Sequence, residues 1–192
     1  MGEKLSSKIY KNLQKDIWDG VYTPRDFISE AQIAEKYGVS KAPVKEALHI
    51  LSNQGYLVRY PRRGYMVNSY SDEEINQIQE VRRKLEALSI ELTIKNASDE
   101  EIEALRFYSE DEVSADDPKD TINYRFHVGL AKLSGNEILV DTVSPLIAKA
   151  SMSQIRRIPD TKNFDKIIDA LLDRNLKQSL KYLEEDIRFL NE

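Results

Sequence analysis

Apolar side chains open the chain at a spacing of four residues, the pattern of an amphipathic helix: Leu5, Ile9, Leu13 and Ile17. Ser29 and Gln32 have the spacing of a capping box, which predicts the start of a second, short helix. Gly38 ends that helix, and a third is predicted from Lys41 to about Asn53, with the preceding serine as its cap. The gap of about three residues between the second and third helices contains a glycine, which is typical of a helix-turn-helix.

After the third helix, the spacing of apolar residues changes to the pattern of strands. Two β-rich runs, at residues 56–60 and 65–67, flank a turn with proline and glycine at 61–64. This arrangement predicts a hairpin. Three helices followed by a hairpin form a winged helix-turn-helix, which we predict as an N-terminal domain over residues 1–68, with a polar linker at 69–71.

The remaining residues, 72–192, have a helical pattern nearly throughout. Capping boxes at Ser71 and Ser98, and cap or breaker residues farther along, predict six helices: about 72–96, 99–112, 118–134, 137–157, 162–173 and 175–190. Pro145 predicts a kink or a restart within the fourth of these helices. The last carries a regular apolar stripe that we expect to be buried: Leu176, Leu180, Leu183, Ile187 and Leu190. The predicted fold class is therefore mainly α, a winged helix-turn-helix followed by a six-helix antiparallel bundle.

Composition excludes several classes of function. Hydrophobic residues make up 41% and charged residues 32% of the 192 residues, as in a soluble folded protein. The chain has no cysteine and only two histidines, His49 and His127, so a catalytic triad or a multi-histidine metal site is poorly supplied. The sequence shows no membrane-spanning run and no apolar signal core. We therefore expect a cytoplasmic protein that is not an enzyme and has no membrane partner.

The net charge of −5 is unevenly distributed along the chain. Residues 1–70 carry 11 Lys and Arg against 7 Asp and Glu, a net of +4, so the rest carries a net of −9. Between Lys36 and Arg63 there are six basic residues and a single acid, Glu46. Such a local excess favours a polyanionic partner, although a solvated basic face is the alternative interpretation.

The motif GVSKAPVKEAL at residues 38–48 resembles the GVSRTPVREAL pattern of the GntR family of bacterial transcription regulators. Gly55 after the third helix and the turn at 61–64 extend the resemblance over about residues 5–68. It implies double-stranded DNA as the partner, with the wing tip in or near the minor groove. The implied DNA-binding residues are Ser40, Lys41, Ala42, Lys45, Arg62, Arg63 and Gly64.

This sequence departs from the family pattern at the predicted recognition helix. Lys41 and Lys45 replace arginines, and lysine lacks the planar fork that binds guanine through two hydrogen bonds. Ala42 replaces a threonine and offers only a methyl group. We therefore expect intact backbone binding with a base preference less directed at guanine. A winged helix used for protein contact is the alternative.

The helical half resembles the FCD effector domain of one GntR branch, through residues 80–86 and 123–139, over about residues 72–190. Six helices fit its shorter, VanR-type version. Many FCD domains bind a divalent metal through one aspartate and three histidines, and the matching positions here are Asn123, His127, Phe164 and Asp186. Because an amide and a phenylalanine stand at two of them, we expect that the metal site is lost and that the chain holds no cofactor.

The resemblance implies a homodimeric regulator, expected to be a repressor at an inverted-repeat operator, whose helical domain dimerises and senses a small organic acid. Its expected effector-binding residues are Arg82, Asn123, His127 and Asp186, with Arg82 offering its charge to a carboxylate. In the alternative, His127 is a satisfied core histidine, Arg82 pairs with Glu86, and the protein is a constitutive dimeric DNA-binding protein without an effector. A third possibility, an enzyme acting on a small acid with His127, is weakened because no base is paired with a nucleophile.

Overall fold

Two units make up the chain, Met1–Tyr70 and Ser71–Glu192. The computed structural model describes residues 4–108, 119–151 and 161–188. None of the helices within these ranges combines the length and the apolar character needed to cross a bilayer.

The first unit contains three helices and three strands: α1 (Leu5–Trp18), β1 (Phe27–Ile28), α2 (Glu30–Tyr37), α3 (Lys41–Asn53), β2 (Leu57–Tyr60) and β3 (Gly64–Val67). The predicted helices and the hairpin are confirmed. The capping box that opens α2 is formed, because the Gln32 amide donates to the Ser29 hydroxyl and the Ser29 amide donates to the Gln32 side chain. Gly38 ends α2 in the left-handed conformation, with φ of 63°.

The sheet has a third strand that the sequence pattern did not predict. The two-residue strand β1 pairs antiparallel with β3, with Phe27 opposite Met66 and Ile28 opposite Tyr65, and gives the strand order β1-β3-β2. Gly64 permits this pairing, because a Cβ at that position would lie 2.6 Å from the Ile28 carbonyl oxygen. Its φ of 103° also favours glycine. Two residues are too short for a detectable alternation, so only tertiary pairing identifies β1 as a strand.

The core of the first unit consists of apolar side chains from all three helices and the sheet, each at most 2% exposed: Ile9, Leu13, Ile28, Ile33, Val44, Ala47, Leu48, Leu51, Tyr56, Leu57, Tyr65 and Val67. The buried Tyr56 hydroxyl accepts a hydrogen bond from Gln14, so this polar group is satisfied in the core. One face of α3 is therefore packed in the core, and the opposite face is turned towards solvent.

The second unit has six α-helices among the described residues, as predicted: α4 (Asp72–Asn96), α5 (Asp99–Glu103), α6 (Lys119–Leu133), α7 (Glu137–Ala150), α8 (Thr161–Leu172) and α9 (Leu176–Asp186). The predicted capping boxes at Ser71 and Ser98 are formed. Asn136 caps α7 by accepting a hydrogen bond from the Leu139 amide. Helix α4 contacts α6, α7, α8 and α9, so it lies at the centre of this unit.

The second predicted helix of this unit is shorter than the pattern indicated. Helix α5 ends at Glu103, and residues 104–108 continue as a 3-10 helix. Ile102 and Leu105 are buried, and Tyr108 packs against the same core, at a spacing of three residues. A 3-10 helix has three residues per turn, so Leu105 and Tyr108 lie on one line and face the same core as Ile102 of α5. The predicted continuation to residue 112 lies outside the described residues.

Three further predictions are refined by the structure. Pro145 lies inside α7 without a restart of the helix. Helix α9 ends at Asp186 instead of near residue 190. Ile187 follows the helix, and its carbonyl accepts a hydrogen bond from Arg83. Leu176, the first residue of the stripe that we expected to be buried, is 40% exposed. The predicted cap at residues 117–118, the end of the fourth helix at 152–157 and Leu190 lie outside the described residues.

Candidate nucleic-acid interface and buried ion cluster

Helix α3 separates a packing face from a polar face. Its buried side chains are Val44, Ala47, Leu48 and Leu51. The predicted DNA-binding residues Ser40, Lys41, Ala42 and Lys45 are all exposed. Since Lys41 and Lys45 are four residues apart, the structure brings them together on one side of the first turns of α3. His49 is also exposed, and its Nδ1 lies 3.3 Å from the side-chain nitrogen of Asn53.

The polar groups at the start of α3 are available to a partner. Within the described part of the chain, Lys41 and Lys45 make no ion pair and no side-chain hydrogen bond. Ser40 is the N-cap residue by its backbone, but its hydroxyl makes no capping hydrogen bond, contrary to the prediction. The first turn of α3 contains no acidic residue, so the positive end of the helix dipole adds to the lysine charges there.

The wing carries two neighbouring arginines with different surroundings. Arg62 is exposed and adopts a left-handed backbone, with φ of 65°. The guanidinium carbon of Arg63 lies over the Phe27 ring, 4.6 Å from its centroid. Gly64 begins β3 opposite Tyr60, and the Arg63 amide donates to the Tyr60 carbonyl to close the turn. Phe27 was not among the predicted site residues, because only the pairing of β1 with β3 brings it to the wing.

In the second unit, four ionisable side chains form a buried cluster, which we call the ion cluster: Arg82, Glu86, His127 and Asp186. The Arg82 Nε donates to Glu86 Oε1 over 2.9 Å. The other Glu86 oxygen, Oε2, lies 2.5 Å from His127 Nδ1, and His127 Nε2 lies 2.9 Å from Asp186 Oδ2. Side chains from three helices, α4, α6 and α9, thus meet through consecutive hydrogen bonds.

The cluster requires a charged histidine. Both ring nitrogens of His127 face carboxylate oxygens, and only the doubly protonated imidazolium can donate to both. Burial opposes this charge, but the negative charge of Glu86 and hydrogen bonds to both carboxylates outweigh it and raise the pKa of His127 to about 9. Burial likewise opposes the charge of Glu86, but Arg82 and His127 hold its pKa below the ordinary value. With two positive and two negative groups, the cluster is internally neutral.

One donor of the ion cluster remains unsatisfied. Arg82 Nη1 donates to the Gln79 side chain over 2.9 Å, whereas its buried Nη2 has no hydrogen-bond partner among the described residues. Asn123 precedes His127 by one turn of α6 and is half-buried, but no hydrogen bond joins it to the cluster in the described part of the chain. The structure therefore brings together three of the four predicted effector-binding residues, and adds Glu86 in the place expected under the alternative interpretation.

The residues at the positions of the family metal do not fit a divalent ion. Both nitrogens of His127 are occupied by carboxylates, and Phe164 stacks on Phe126 with ring centroids 4.0 Å apart. Among the described residues, no group of three or more His, Cys, Asp or Glu side chains is arranged to bind a metal. That the chain holds no cofactor stays a prediction.

Comparison with known families gives two matches that together cover most of the chain. The model described as bacterial regulatory proteins, gntR family, matches residues 5–67. The FCD domain model matches residues 77–185. The first match contains α3 and the wing, and the second contains Arg82 and His127.

Individual relatives agree with these matches. The chain is 33% identical over 138 residues to YdhC of Bacillus subtilis (strain 168), an uncharacterized HTH-type transcriptional regulator, covering 69% of this chain and 62% of that protein. It is 30% identical over 127 residues to the Nta operon transcriptional regulator of Aminobacter aminovorans, covering 64% of this chain and 60% of that protein. The matches thus span less than two thirds of the length of these relatives. The fold is similar to that of E. coli McbR/YncC, with a TM-score of 0.75 and 19% identity over 97% of this chain and 94% of that one.

Proposed function

Because the chain belongs to the GntR family of bacterial regulatory proteins and carries an FCD domain, we propose that it is a sequence-specific DNA-binding transcriptional regulator. Members of this family are regulators and not enzymes. The observation that carries the proposal is the polar face of α3, where Lys41 and Lys45 are exposed and unpaired within the described residues. Such a face suits the major groove of DNA, where the first turns of a recognition helix meet bases and flanking phosphates.

The proposed contacts divide between backbone and bases. Lys41 and Lys45 contact phosphates as compact charges, because lysine lacks the fork that reads guanine. Ser40 donates its uncommitted hydroxyl to a phosphate, and Ala42 offers a methyl to thymine. Arg62 enters the minor groove from the wing, where narrow A·T-rich sequence favours an arginine. We therefore propose an operator with A·T-rich flanks and few guanine contacts from α3.

Charge reversal of the two lysines tests this proposal. Lys41→Glu with Lys45→Glu should reduce the affinity for a duplex, selected by the wild-type protein from a random pool, by about a hundred-fold or more. Lys4→Glu with Lys8→Glu is the matched control, since both residues are exposed, are four apart and change the net charge equally. Fluorescence anisotropy measures both affinities, and circular dichroism checks the fold. Equal losses in the two double variants would refute the assignment of α3.

We also propose that the protein is a cytoplasmic homodimer that acts as a repressor on an inverted repeat. A two-fold protein matches a two-fold operator, with half-sites one helical turn or a multiple of it apart. Sedimentation of the protein and its complex, with the symmetry of the selected sequence, tests the dimer. A monomer that binds an asymmetric sequence would refute it. A reporter with the selected operator across its promoter tests the direction of regulation.

The ion cluster supports a further proposal, that the second unit senses a small organic acid. The buried Nη2 of Arg82 lacks an acceptor among the described residues, and an unsatisfied buried donor costs about 1–3 kcal/mol. A carboxylate oxygen would satisfy it through a charge-assisted hydrogen bond. Glu86 connects Arg82 to His127 and Asp186 through hydrogen bonds, and Asn123 lies one turn of α6 before His127.

A matched pair of ligand panels tests this sensor. Thermal shift with C2 to C6 carboxylic acids and with the corresponding primary amides should show stabilisation by at least one acid and not by its amide. Asn123→Leu, at a half-buried position, should weaken that stabilisation while leaving the free protein folded. One observation favours a second candidate, a constitutive dimer without an effector: apart from Arg82 Nη2, the cluster satisfies itself. If none of the acids stabilises the protein, the constitutive dimer is favoured.

A further inference from the structure

The exposed aromatic ring of Phe27 lies where the wing turns, and it has no role in the predicted interface. Its side chain is only partly buried, with 38% of its surface exposed. One face of the ring is covered by the guanidinium of Arg63, 4.6 Å from the centroid, and Tyr60 meets it edge-on with centroids 5.5 Å apart. Phe27 thus contacts two wing residues while more than a third of its surface remains exposed.

The backbone fixes this arrangement from two sides. Phe27 belongs to β1, which pairs with β3 through Met66, while Arg63 closes the turn through its amide. Gly64 is the one wing residue whose missing Cβ lets β1 approach so closely. The ring is therefore anchored to the sheet, and the arginine at the turn is held by the ring.

Stacking leaves the arginine free to bind an anion. A guanidinium held over an aromatic ring by cation–π attraction uses no hydrogen bond to a carboxylate or carbonyl, so its N–H groups can still donate to an anion. In the described part of the chain, no carboxylate pairs with Arg63. The stack thus fixes the side chain while its donors stay available, which lowers the entropy lost when a phosphate is bound.

We propose that Phe27 is a positioning residue that orients Arg63 towards a phosphate of the DNA backbone, while the neighbouring Arg62 enters the groove. This inference rests on the proposed DNA-binding function. Phe27 itself contacts no nucleotide and acts only through Arg63. Removing its aromatic face should therefore weaken DNA binding only when Arg63 is present.

A double-mutant cycle on DNA affinity tests this dependence. Phe27→Leu keeps an apolar side chain without a π face and should weaken binding to the selected duplex about two- to five-fold. Phe27→Tyr should retain wild-type affinity, and Phe27→Leu should have no further effect in an Arg63→Ala background. Phe107→Leu, at an exposed aromatic residue of the second unit, is the control and should leave affinity unchanged.

The salt dependence of binding separates contact from positioning. Arg63→Ala should make the negative slope of log affinity against log salt less steep by about 0.9, the value for one lost phosphate contact. Phe27→Leu should leave that slope unchanged, because the contact persists with a less oriented arginine. Additive effects of Phe27→Leu and Arg63→Ala, or an unchanged slope in Arg63→Ala, would overturn the proposal.

An NMR measurement without DNA tests the stack itself. The side-chain protons of Arg63 should be shifted upfield by the Phe27 ring, and this shift should disappear in Phe27→Leu. No upfield shift in the wild type would overturn the stack. If the wild-type protein selects no duplex, the proposed function fails and the role of Phe27 in DNA binding fails with it, whatever the NMR result.

Discussion

The charged histidine of the ion cluster makes the stability of the protein depend on pH. Since the folded-state pKa of His127 is raised from 6.5 to about 9, the folded protein holds a proton that the unfolded chain releases at lower pH. Each pKa unit corresponds to about 1.4 kcal/mol, so the raised pKa contributes about 3 kcal/mol to folding. This contribution is complete below about pH 6.5 and is lost as the pH rises to about 9.

The chain offers a matched pair of variants for this prediction, since it has only two histidines. Urea unfolding followed by circular dichroism from pH 6 to 9 should show the wild type losing about 3 kcal/mol of unfolding free energy. His49→Gln, at an exposed position, should lose the same amount. His127→Gln should be less stable than the wild type at pH 6 and should lose little more as the pH rises.

Two results would refute this reasoning. If the wild type kept its unfolding free energy up to pH 9, His127 would not be charged between Glu86 and Asp186. If His127→Gln lost stability as steeply as the wild type, another group would carry the proton. In both cases the consecutive hydrogen bonds through His127 would need a neutral imidazole, which can donate to only one of the two carboxylates.

Three further predictions concern the ion cluster, two glycines of the first unit, and the metal content of the protein. Glu86→Gln should cost about 3–5 kcal/mol of unfolding free energy in urea, because it leaves Arg82 buried without its counter-charge; a loss below about 1 kcal/mol would show that the cluster is hydrated. Gly64→Ala should lower the unfolding free energy by at least about 2 kcal/mol, because its Cβ would meet the Ile28 carbonyl oxygen. Gly38→Ala has open space around its Cβ and should cost only about 1 kcal/mol. Equal losses in the two variants would contradict the close approach of β1. Protein purified without chelator should hold far less than one divalent ion per chain by mass spectrometry, and one tightly bound ion per chain would contradict the misfit of the donor set.

Local rules predicted most elements of the fold. The capping boxes at Ser29, Ser71 and Ser98 place helix starts within a residue, because each box uses side chains only three residues apart. The hairpin likewise follows from alternation and the turn at 61–64. What was missed depends on distant partners: β1 exists only through its pairing with β3, and the 3-10 turn at residues 104–108 packs Leu105 and Tyr108 against the core.

The candidate sites divide in the same way. The polar face of α3 could be predicted, because exposure along a helix follows from the period of its apolar residues. The pair of Arg82 and Glu86 could also be predicted from their spacing of four residues. The family resemblance placed His127 and Asp186 near Arg82, but their consecutive hydrogen bonds to Glu86 could not be predicted, since α6 and α9 join α4 only after packing. The stack of Arg63 on Phe27 is also a tertiary contact, between residues 36 positions apart in the chain.

The positive charges of the two units have different surroundings, which favour DNA binding by α3 over acid binding by the ion cluster. At α3 the lysines are exposed and make no ion pair with the described residues. A polyanion that binds there releases its counterions and gains the attraction of these charges. In the ion cluster, both positive charges are already neutralised, and a carboxylate ligand would add a net negative charge to a buried, neutral group. Only the single Nη2 donor of Arg82 offsets that cost. Binding of an acid should therefore be weak unless a proton is taken up with it. An acid that binds should then bind more tightly as the pH falls. Titration calorimetry in buffers of different ionisation enthalpy should detect this proton uptake. Binding without proton uptake would show instead that the ligand displaces Asp186 from His127.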